Sequence, residues 1–105
     1  MNIEGLIDMS KEMTEQYILE KYFNFKDVEP PLFEIQAWEV EQYYDDNNQL
    51  ERAVIFLSAT IIDDKIYEFV YDTKVGKIFF KEFKYKEEDS IGINIWVKNF
   101  YMTIN

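Results

Sequence analysis

The chain has 105 residues, with 21 acidic against 11 basic side chains and a formal net charge of −10. It contains neither cysteine nor histidine, which excludes disulfides, thiol nucleophiles, zinc fingers, haem and iron–sulfur ligation and the usual general base. Its hydrophobic fraction of 48%, with 18% aromatic residues, is far above that of a disordered acidic chain. We therefore expect residues 1–105 to fold as a single domain around one core.

The apolar segments are short. The first residues lack the basic stretch and apolar run of a secretory signal. The longest apolar run, residues 53–57, falls far below the roughly 20 residues that cross a bilayer. The sequence thus predicts a cytoplasmic protein without membrane association. Its negative charge also disfavours direct binding to nucleic acid, whose phosphates are bound by lysine and arginine.

Residues 3–25 follow a helical pattern. The apolar residues that recur at intervals of three and four are Leu6, Met9, Met13, Tyr17, Ile18, Tyr22 and Phe25. The pattern leaves open whether Gly5 and Ser10 break this helix, with Ser10 capping a main helix that starts at residue 11. The helix is expected to end near Asn24. The following Pro30 and Pro31 require an extended approach to the next element.

Residues 32–45 alternate as a strand, but the parity of the apolar residues changes midway. One set is Phe33, Ile35 and Ala37, and the other is Trp38, Val40 and Tyr44. A β-bulge at residues 36–38 resolves the conflict, because it inserts one residue and returns the later set to the core side. The residues that then point outward together are Glu39, Glu41, Tyr43 and Asp45.

Three further strands are predicted, joined by short connections. Residues 46–49 form a turn, because asparagine tolerates left-handed torsion angles. Residues 50–62 are nearly continuously apolar in their middle, which predicts an interior strand. A turn at residues 63–65, a strand at 66–71, a loop at 72–76 in which Gly76 takes a positive φ, and a strand at 77–86 complete the pattern.

The predicted fold class is α+β, with the N-terminal helix packed on an antiparallel meander of four or five strands. The number depends on residues 91–104. Their isoleucines and valine alternate as in a strand, whereas Trp96, Phe100 and Tyr101 fall on a helical stripe that Ser90 is placed to cap. Helix and strand both remain open for this segment.

Residues 66–80 combine a strand, an Asp-x-x-x-Gly-Lys turn and a second strand. This rhythm resembles the hairpin of PepSY and related cystatin-like small domains. The resemblance implies an α+β architecture and carries no activity over. A curved sheet covered by a helix could enclose a pocket, which gives an alternative function, a small-ligand-binding domain. Its expected pocket is lined by Trp38, Phe56, Phe69, Phe79 and Trp96.

The chain offers little for catalysis. Its three serines have no histidine partner and no glycine-flanked elbow. Neighbouring carboxylates, such as Glu39 and Glu41, are the only groups available for acid–base catalysis. Acids at alternate positions fit a solvated strand face better than a catalytic pocket. We therefore expect no enzymatic activity, no metal and no cofactor.

The charge is unevenly distributed along the chain. Residues 1–72 carry 17 acidic and 5 basic side chains, whereas residues 73–86 carry 1 and 5. Residues 27–51 contain eight acids and no base. One interpretation is that the acids keep the protein in solution and the lysines protect an edge strand. The other is an acidic surface that docks on a basic partner.

The second interpretation predicts a non-enzymatic protein-interaction module. The residues expected to bind the partner are Glu39, Glu41, Tyr43, Tyr44, Asp45 and Asp46. Charge would steer association, and the tyrosines would supply a buried anchor. In size, charge and lack of catalytic groups the chain resembles toxin-immunity proteins and phage anti-defence proteins, inhibitors that occupy nucleic-acid-binding clefts. The expected partner is a basic protein surface such as that of a nuclease, approached by nucleic-acid mimicry; the oligomeric state is left open.

Overall fold

The computed structural model describes residues 2–23, 32–85 and 93–103, with side chains described for residues 2–23 and 32–83. Helix α1 spans Ile3–Ile18 and continues into a π-helical turn at Leu19–Phe23. The strands are β1 (Ile35–Tyr44), β2 (Leu50–Ala59), β3 (Ile62–Asp72), β4 (Lys77–Tyr85) and β5 (Ile93–Thr103). They form one antiparallel sheet in the order β1-β2-β3-β4-β5. The predicted α+β fold is confirmed.

Helix α1 is continuous from its first residue. Asn2 caps it, since its side-chain oxygen accepts a hydrogen bond from the Gly5 N–H at 2.8 Å. Ser10 is therefore no cap; it is fully buried and donates to the Ile7 carbonyl at 2.7 Å. Thr14, also buried, donates to the Ser10 carbonyl at 2.8 Å. Both hydroxyls are satisfied by the helix itself, so small side chains line its sheet-facing stripe without an unpaired polar atom. The expected helix end near Asn24 and the two prolines lie outside the described residues.

The core lies between α1 and one face of the sheet. The largest apolar side chains in it come from β2, β3, β4 and α1, and include Leu6, Ile18, Ile55, Leu57, Tyr67, Phe69 and Phe80. The residues of opposite parity lie on the second sheet face, called the open face below. On that face Val54 and Val70 are also buried, at 4% and 7% exposure. Both faces of β2 are thus largely covered, as the continuous apolar run in its middle predicted.

The β-bulge predicted in β1 is confirmed. The pairing with β2 shifts between Ala37 and Glu39, so that Trp38 is the extra residue and Val40 returns to the helix-facing side. The expected placement of Trp38 on the core side is wrong. Its side chain remains 53% exposed and contacts the Phe56 ring on the open face. The bulge absorbs the tryptophan by turning it outward, because the inserted residue belongs to neither alternating set.

Two predicted turns are confirmed, and a third is wrong. Asn48 and Gly76 adopt the positive φ expected of them, at 60° and 73°. Residues 63–65 do not form a turn, because β3 begins at Ile62 and the β2–β3 connection is confined to residues 60 and 61. The Thr60 N–H donates to the Glu34 carbonyl at 3.0 Å, and the Glu34 N–H donates to the Thr60 hydroxyl at 3.0 Å. These bonds tie the connection to the start of β1.

The C-terminal segment is a strand, Ile93–Thr103, antiparallel to β4. Of the two alternatives for this segment, the structure has the strand. Strand β4 therefore lies between β3 and β5. Its lysines do not protect an edge, as one interpretation of the charge pattern expected. Within the described sheet the edges are β1 and β5, so the acidic strand β1 is one of the two edge strands.

Candidate functional site

The structure brings three of the six predicted binding residues onto one stretch of the open face. Glu39, Glu41 and Tyr43 are exposed at alternate positions of β1, opposite Phe56, Val54 and Arg52 of β2. Directly opposed residues share a sheet face, and alternate residues of one strand lie about 7 Å apart. The two carboxylates thus form a row along the edge of the sheet, which the tyrosine continues.

Tyr44 is not part of this row. It alternates with Tyr43 and pairs with Leu50, a residue that packs against the core. Its side chain is 50% exposed, and its hydroxyl donates to the Gln42 side-chain oxygen at 2.6 Å. Both tyrosines were predicted to bind the partner, although strand alternation, with Tyr43 outward and Tyr44 in the apolar set returned to the core side, directs the two to opposite faces.

Asp45 and Asp46 lie in the exposed turn between β1 and β2. Asp45 has a structural role there, because its Oδ1 accepts hydrogen bonds from the N–H groups of Asn47 and Gln49, each at 2.9 Å. Asp46 is exposed beside it. We call Glu39, Glu41, Asp45 and Asp46 together the acidic edge.

The carboxylates of the acidic edge form no ion pair with the described basic side chains, although Arg52 lies over the Tyr43 ring on the same face. Within residues 2–23 and 32–83, no ion pair involves Glu39, Glu41 or Asp46. The ion pairs there lie elsewhere: Lys21 with Glu82, Arg52 with Asp72, Lys65 with Asp64, Lys74 with Glu51 and Lys81 with Glu68. A row of like charges without counter-charges creates a field that attracts cations and basic groups.

Trp38 is a candidate binding residue that the sequence interpretation assigned to the core. The bulge places it next to Glu39 on the open face, with its ring centroid 5.6 Å from that of Phe56 and an angle of 33° between the rings. A half-exposed tryptophan beside carboxylates combines apolar area with charge, as binding hot spots do. The parity change in β1 was the signal that could have found it.

The aromatic residues of the alternative ligand pocket do not share one side of the sheet. Phe69 is fully buried between the sheet and α1. Phe56 pairs with Glu68 and Phe79 pairs with Val70, which places both on the open face with Trp38. The Trp96 side chain lies outside the described residues. The four described side chains therefore line no common cavity.

A second polar site, unforeseen from the sequence, lies under the helix and centres on a fully buried carboxylate. Glu82 of β4 faces α1, and each of its oxygens accepts two hydrogen bonds. Oε1 accepts from the Tyr17 hydroxyl at 3.0 Å and from Lys21 Nζ at 2.6 Å. Oε2 accepts from the hydroxyls of Tyr22 at 2.7 Å and Tyr67 at 2.9 Å. We call these five residues the Glu82 cluster.

The Glu82 cluster fixes the protonation states of its members. Burial would raise the pKa of Glu82, but the hydrogen bonds from Lys21, Tyr22, Tyr67 and Tyr17 outweigh it and lower that pKa. Burial, followed by the hydrogen bond to Glu82, raises the pKa of Tyr22 to about 12. Burial and the charge of Glu82 likewise raise the pKa of Tyr67. The carboxylate thus stays ionised and the hydroxyls stay protonated, which suits a structural clamp better than proton transfer.

Lys21 supplies the positive charge of the cluster from the π-helical turn. Its ammonium lies 5.2 Å from the ring centroids of both Tyr17 and Tyr22 and donates to the Tyr17 hydroxyl at 2.8 Å. Burial would lower its pKa, but the hydrogen bonds to Glu82 and Tyr17 and the carboxylate charge raise it. The Lys21–Glu82 ion pair, together with the tyrosine hydroxyls that bind Glu82, joins the π-helical turn to strands β3 and β4.

In the part of the chain that the structure describes, no group of three or more acidic side chains converges to hold a metal ion. None of the described helices has the length and apolar character needed to span a bilayer. Comparison of the chain with protein-family models, curated proteins and solved structures finds no match.

Proposed function

We propose that this protein is a small non-enzymatic, cytoplasmic interaction module that docks its acidic edge on a basic surface of another protein. The supporting observation is that Glu39, Glu41 and Asp46 are exposed along one sheet edge, while the described lysines and arginine that form ion pairs do so with other acids. Carboxylates without intramolecular partners keep their full charge for an external one.

The class of partner follows from the chemistry of the surface. Two carboxylates on an extended strand and two more in the following turn offer closely spaced negative charges, which a basic nucleic-acid-binding cleft accepts. We therefore propose an inhibitor of the toxin-immunity or anti-defence type, whose target is a nuclease or another nucleic-acid-binding protein. The acidic edge would act there as a nucleic-acid mimic.

The test is charge reversal at the acidic edge. Glu39→Lys, Glu41→Lys and Asp46→Lys are combined in one variant, and Asp45 is left intact because it holds the turn. A partner captured from host extract by the tagged wild-type protein should lose affinity for this variant by about tenfold or more, and its wild-type affinity should fall as salt rises.

A matched control separates the acidic edge from total charge. Asp8→Lys, Glu12→Lys and Glu15→Lys change the net charge by the same amount on the exposed face of α1. This control should retain most of the affinity, with circular dichroism verifying that both variants are folded. Equal losses in the two variants, or affinity that neither variant nor salt changes, would contradict the proposal.

A further inference from the structure

An open groove of about 330 Å³ lies beside Trp38, where β2 ends and β3 begins. Its apolar walls include Ile62 and Ile66 of β3 together with the tryptophan, and Asp63 and Lys65 contribute its polar groups. We call it the Trp38 groove. It adjoins the acidic edge, because Glu39 follows Trp38 in β1 and pairs with Phe56, whose ring the tryptophan contacts.

The indole is held in place and still accessible. Its ring contacts the Phe56 ring at an angle of 33°, and 53% of the residue surface remains exposed. The β-bulge fixes the backbone at this point between two regularly paired stretches of β1. A ligand that stacks on the indole therefore meets a surface that needs little ordering on binding.

The groove has a negative rim. The ammonium of Lys65 lies 3.0 Å from Asp64 Oδ2, and its side chain is only 13% exposed, so its charge is matched locally. Asp63 is exposed and takes part in no ion pair among the described side chains, as is also true of Glu39. A cationic group entering the groove thus meets the Asp63 carboxylate beside an indole and aliphatic walls, and Glu39 follows Trp38 in β1.

We propose that the Trp38 groove binds an arginine side chain of the basic partner; this inference rests on the proposed function and specifies its contact. The guanidinium is planar, stacks on indole and forms two parallel hydrogen bonds to one carboxylate. Its aliphatic stem fits against Ile62 and Ile66. Lysine carries the same charge, but its ammonium is more strongly hydrated and neither stacks nor binds a carboxylate through two parallel bonds.

The test compares two fluorescein-labelled peptides by fluorescence anisotropy at low salt. One contains four arginines separated by glycines, and the other contains four lysines in the same places. The wild-type protein should bind the arginine peptide about tenfold more tightly. Trp38→Ala should abolish that preference, and Asp63→Asn should weaken binding of the arginine peptide more than that of the lysine peptide.

Two controls keep the outcome specific. Tyr44→Ala removes an exposed aromatic ring from the other side of β1 and should leave the preference unchanged. Trp38→Phe retains an aromatic ring at the bulge and should keep part of the preference for the arginine peptide. Equal affinities, no binding of either peptide, or an arginine preference that survives Trp38→Ala overturns the assignment of the groove. The proposed function fails by a separate result, namely a captured partner that binds the charge-reversed acidic edge as well as the wild type.

Discussion

Glu82 is the residue on which the polar interior of this protein depends. Moving a carboxylate out of water costs several kcal/mol, and only a counter-ion together with hydrogen bonds on both oxygens offsets that cost. Glu82 has both, from Lys21 and from three tyrosine hydroxyls. Its partners come from α1, the π-helical turn and β3. The residue therefore determines how the end of the helix sits on the sheet.

Replacing this carboxylate should be costly. Glu82→Gln keeps the size of the side chain but leaves Lys21 without its counter-charge, and we expect the free energy of unfolding to fall by about 2 to 4 kcal/mol. Glu68→Gln is the control, since Glu68 is paired with Lys81 at 3.4 Å on the open face. It should cost less than about 1 kcal/mol. Urea unfolding followed by circular dichroism measures the free energy of unfolding of both variants. Equal decreases would show that the Glu82 cluster stabilises the fold no more than an ordinary surface ion pair.

The difference in stability between the wild type and Glu82→Gln should also depend on pH. The pKa of Glu82 is lowered in the folded state relative to its ordinary value of 4.5. The unfolded chain therefore takes up the proton first as pH falls, and the stabilisation by Glu82 is fully present above about pH 5 and is lost below it. The stability gap between wild type and Glu82→Gln should narrow from pH 5 towards pH 3. A gap that stays constant over this range would contradict an ionised Glu82.

At the scale of the elements, the bulge in β1 decides which residues face the partner and which face the helix. Deleting Trp38 removes the extra residue and leaves every other residue of β1 on its present face. We expect this variant to fold with a free energy of unfolding within about 2 kcal/mol of the wild type, as measured by urea unfolding. It would then carry an intact acidic edge without the indole of the Trp38 groove.

Deleting Val40 is the matched control. With the bulge retained, Glu41 would take the inward position of Val40; with the bulge removed, Glu39 would take it. Either way a carboxylate enters a half-buried apolar site against the core, which should cost about 2 kcal/mol more than the deletion of Trp38. If both deletions lower the free energy of unfolding by the same amount, the alternation of apolar and polar residues does not fix the register of β1.

The elements that could be predicted from the sequence are those with local signals. The bulge followed from a conflict of parity within one strand, and Asn48 and Gly76 marked turns by their tolerance of positive φ. The turn misplaced at residues 63–65 shows the limit. Acidic residues there suggested a turn, but the hydrogen bonds between Thr60 and Glu34 that fix the actual connection span 26 residues of sequence.

The Glu82 cluster could not be predicted for a similar reason. Glu82 shares its parity with Ile78 and Phe80, whereas Phe79 and Phe83 form an equally apolar set of the other parity. Only packing against α1 decides which set is buried. The hydrogen bond between Tyr17 and Glu82 joins residues 65 positions apart, and no local pattern signals it. The exposed carboxylates of β1, by contrast, were foreseen because strand alternation is local.

At the scale of the whole molecule, the net charge of −10 is divided into a paired and an unpaired part. Glu51, Asp64, Glu68, Asp72 and Glu82 on β2, β3 and β4 have lysine or arginine partners. The exposed acids without such a partner among the described residues include Asp63 and acids of the helical segment as well as Glu39, Glu41 and Asp46. Unpaired like charges raise the free energy of the folded state through mutual repulsion. A surface that is retained at a cost in stability fits a binding role better than a role in solubility alone.

Mutual repulsion within the acidic edge predicts a gain in stability when its carboxylates are neutralised. Glu39→Gln, Glu41→Gln and Asp46→Asn together should raise the free energy of unfolding by about 1 kcal/mol at low salt, because repulsion within the row is removed. The gain should disappear in about 1 M salt, where charges are screened over roughly 3 Å.

The control neutralises three paired acids instead, with Glu51→Gln, Asp64→Asn and Glu68→Gln, whose lysine partners lie 3.0 to 3.4 Å away. It should bring no gain, since attraction is lost along with repulsion. If the two triple variants change stability alike in urea unfolding, the acidic edge carries no particular excess of charge, and the electrostatic basis for its proposed role falls with it.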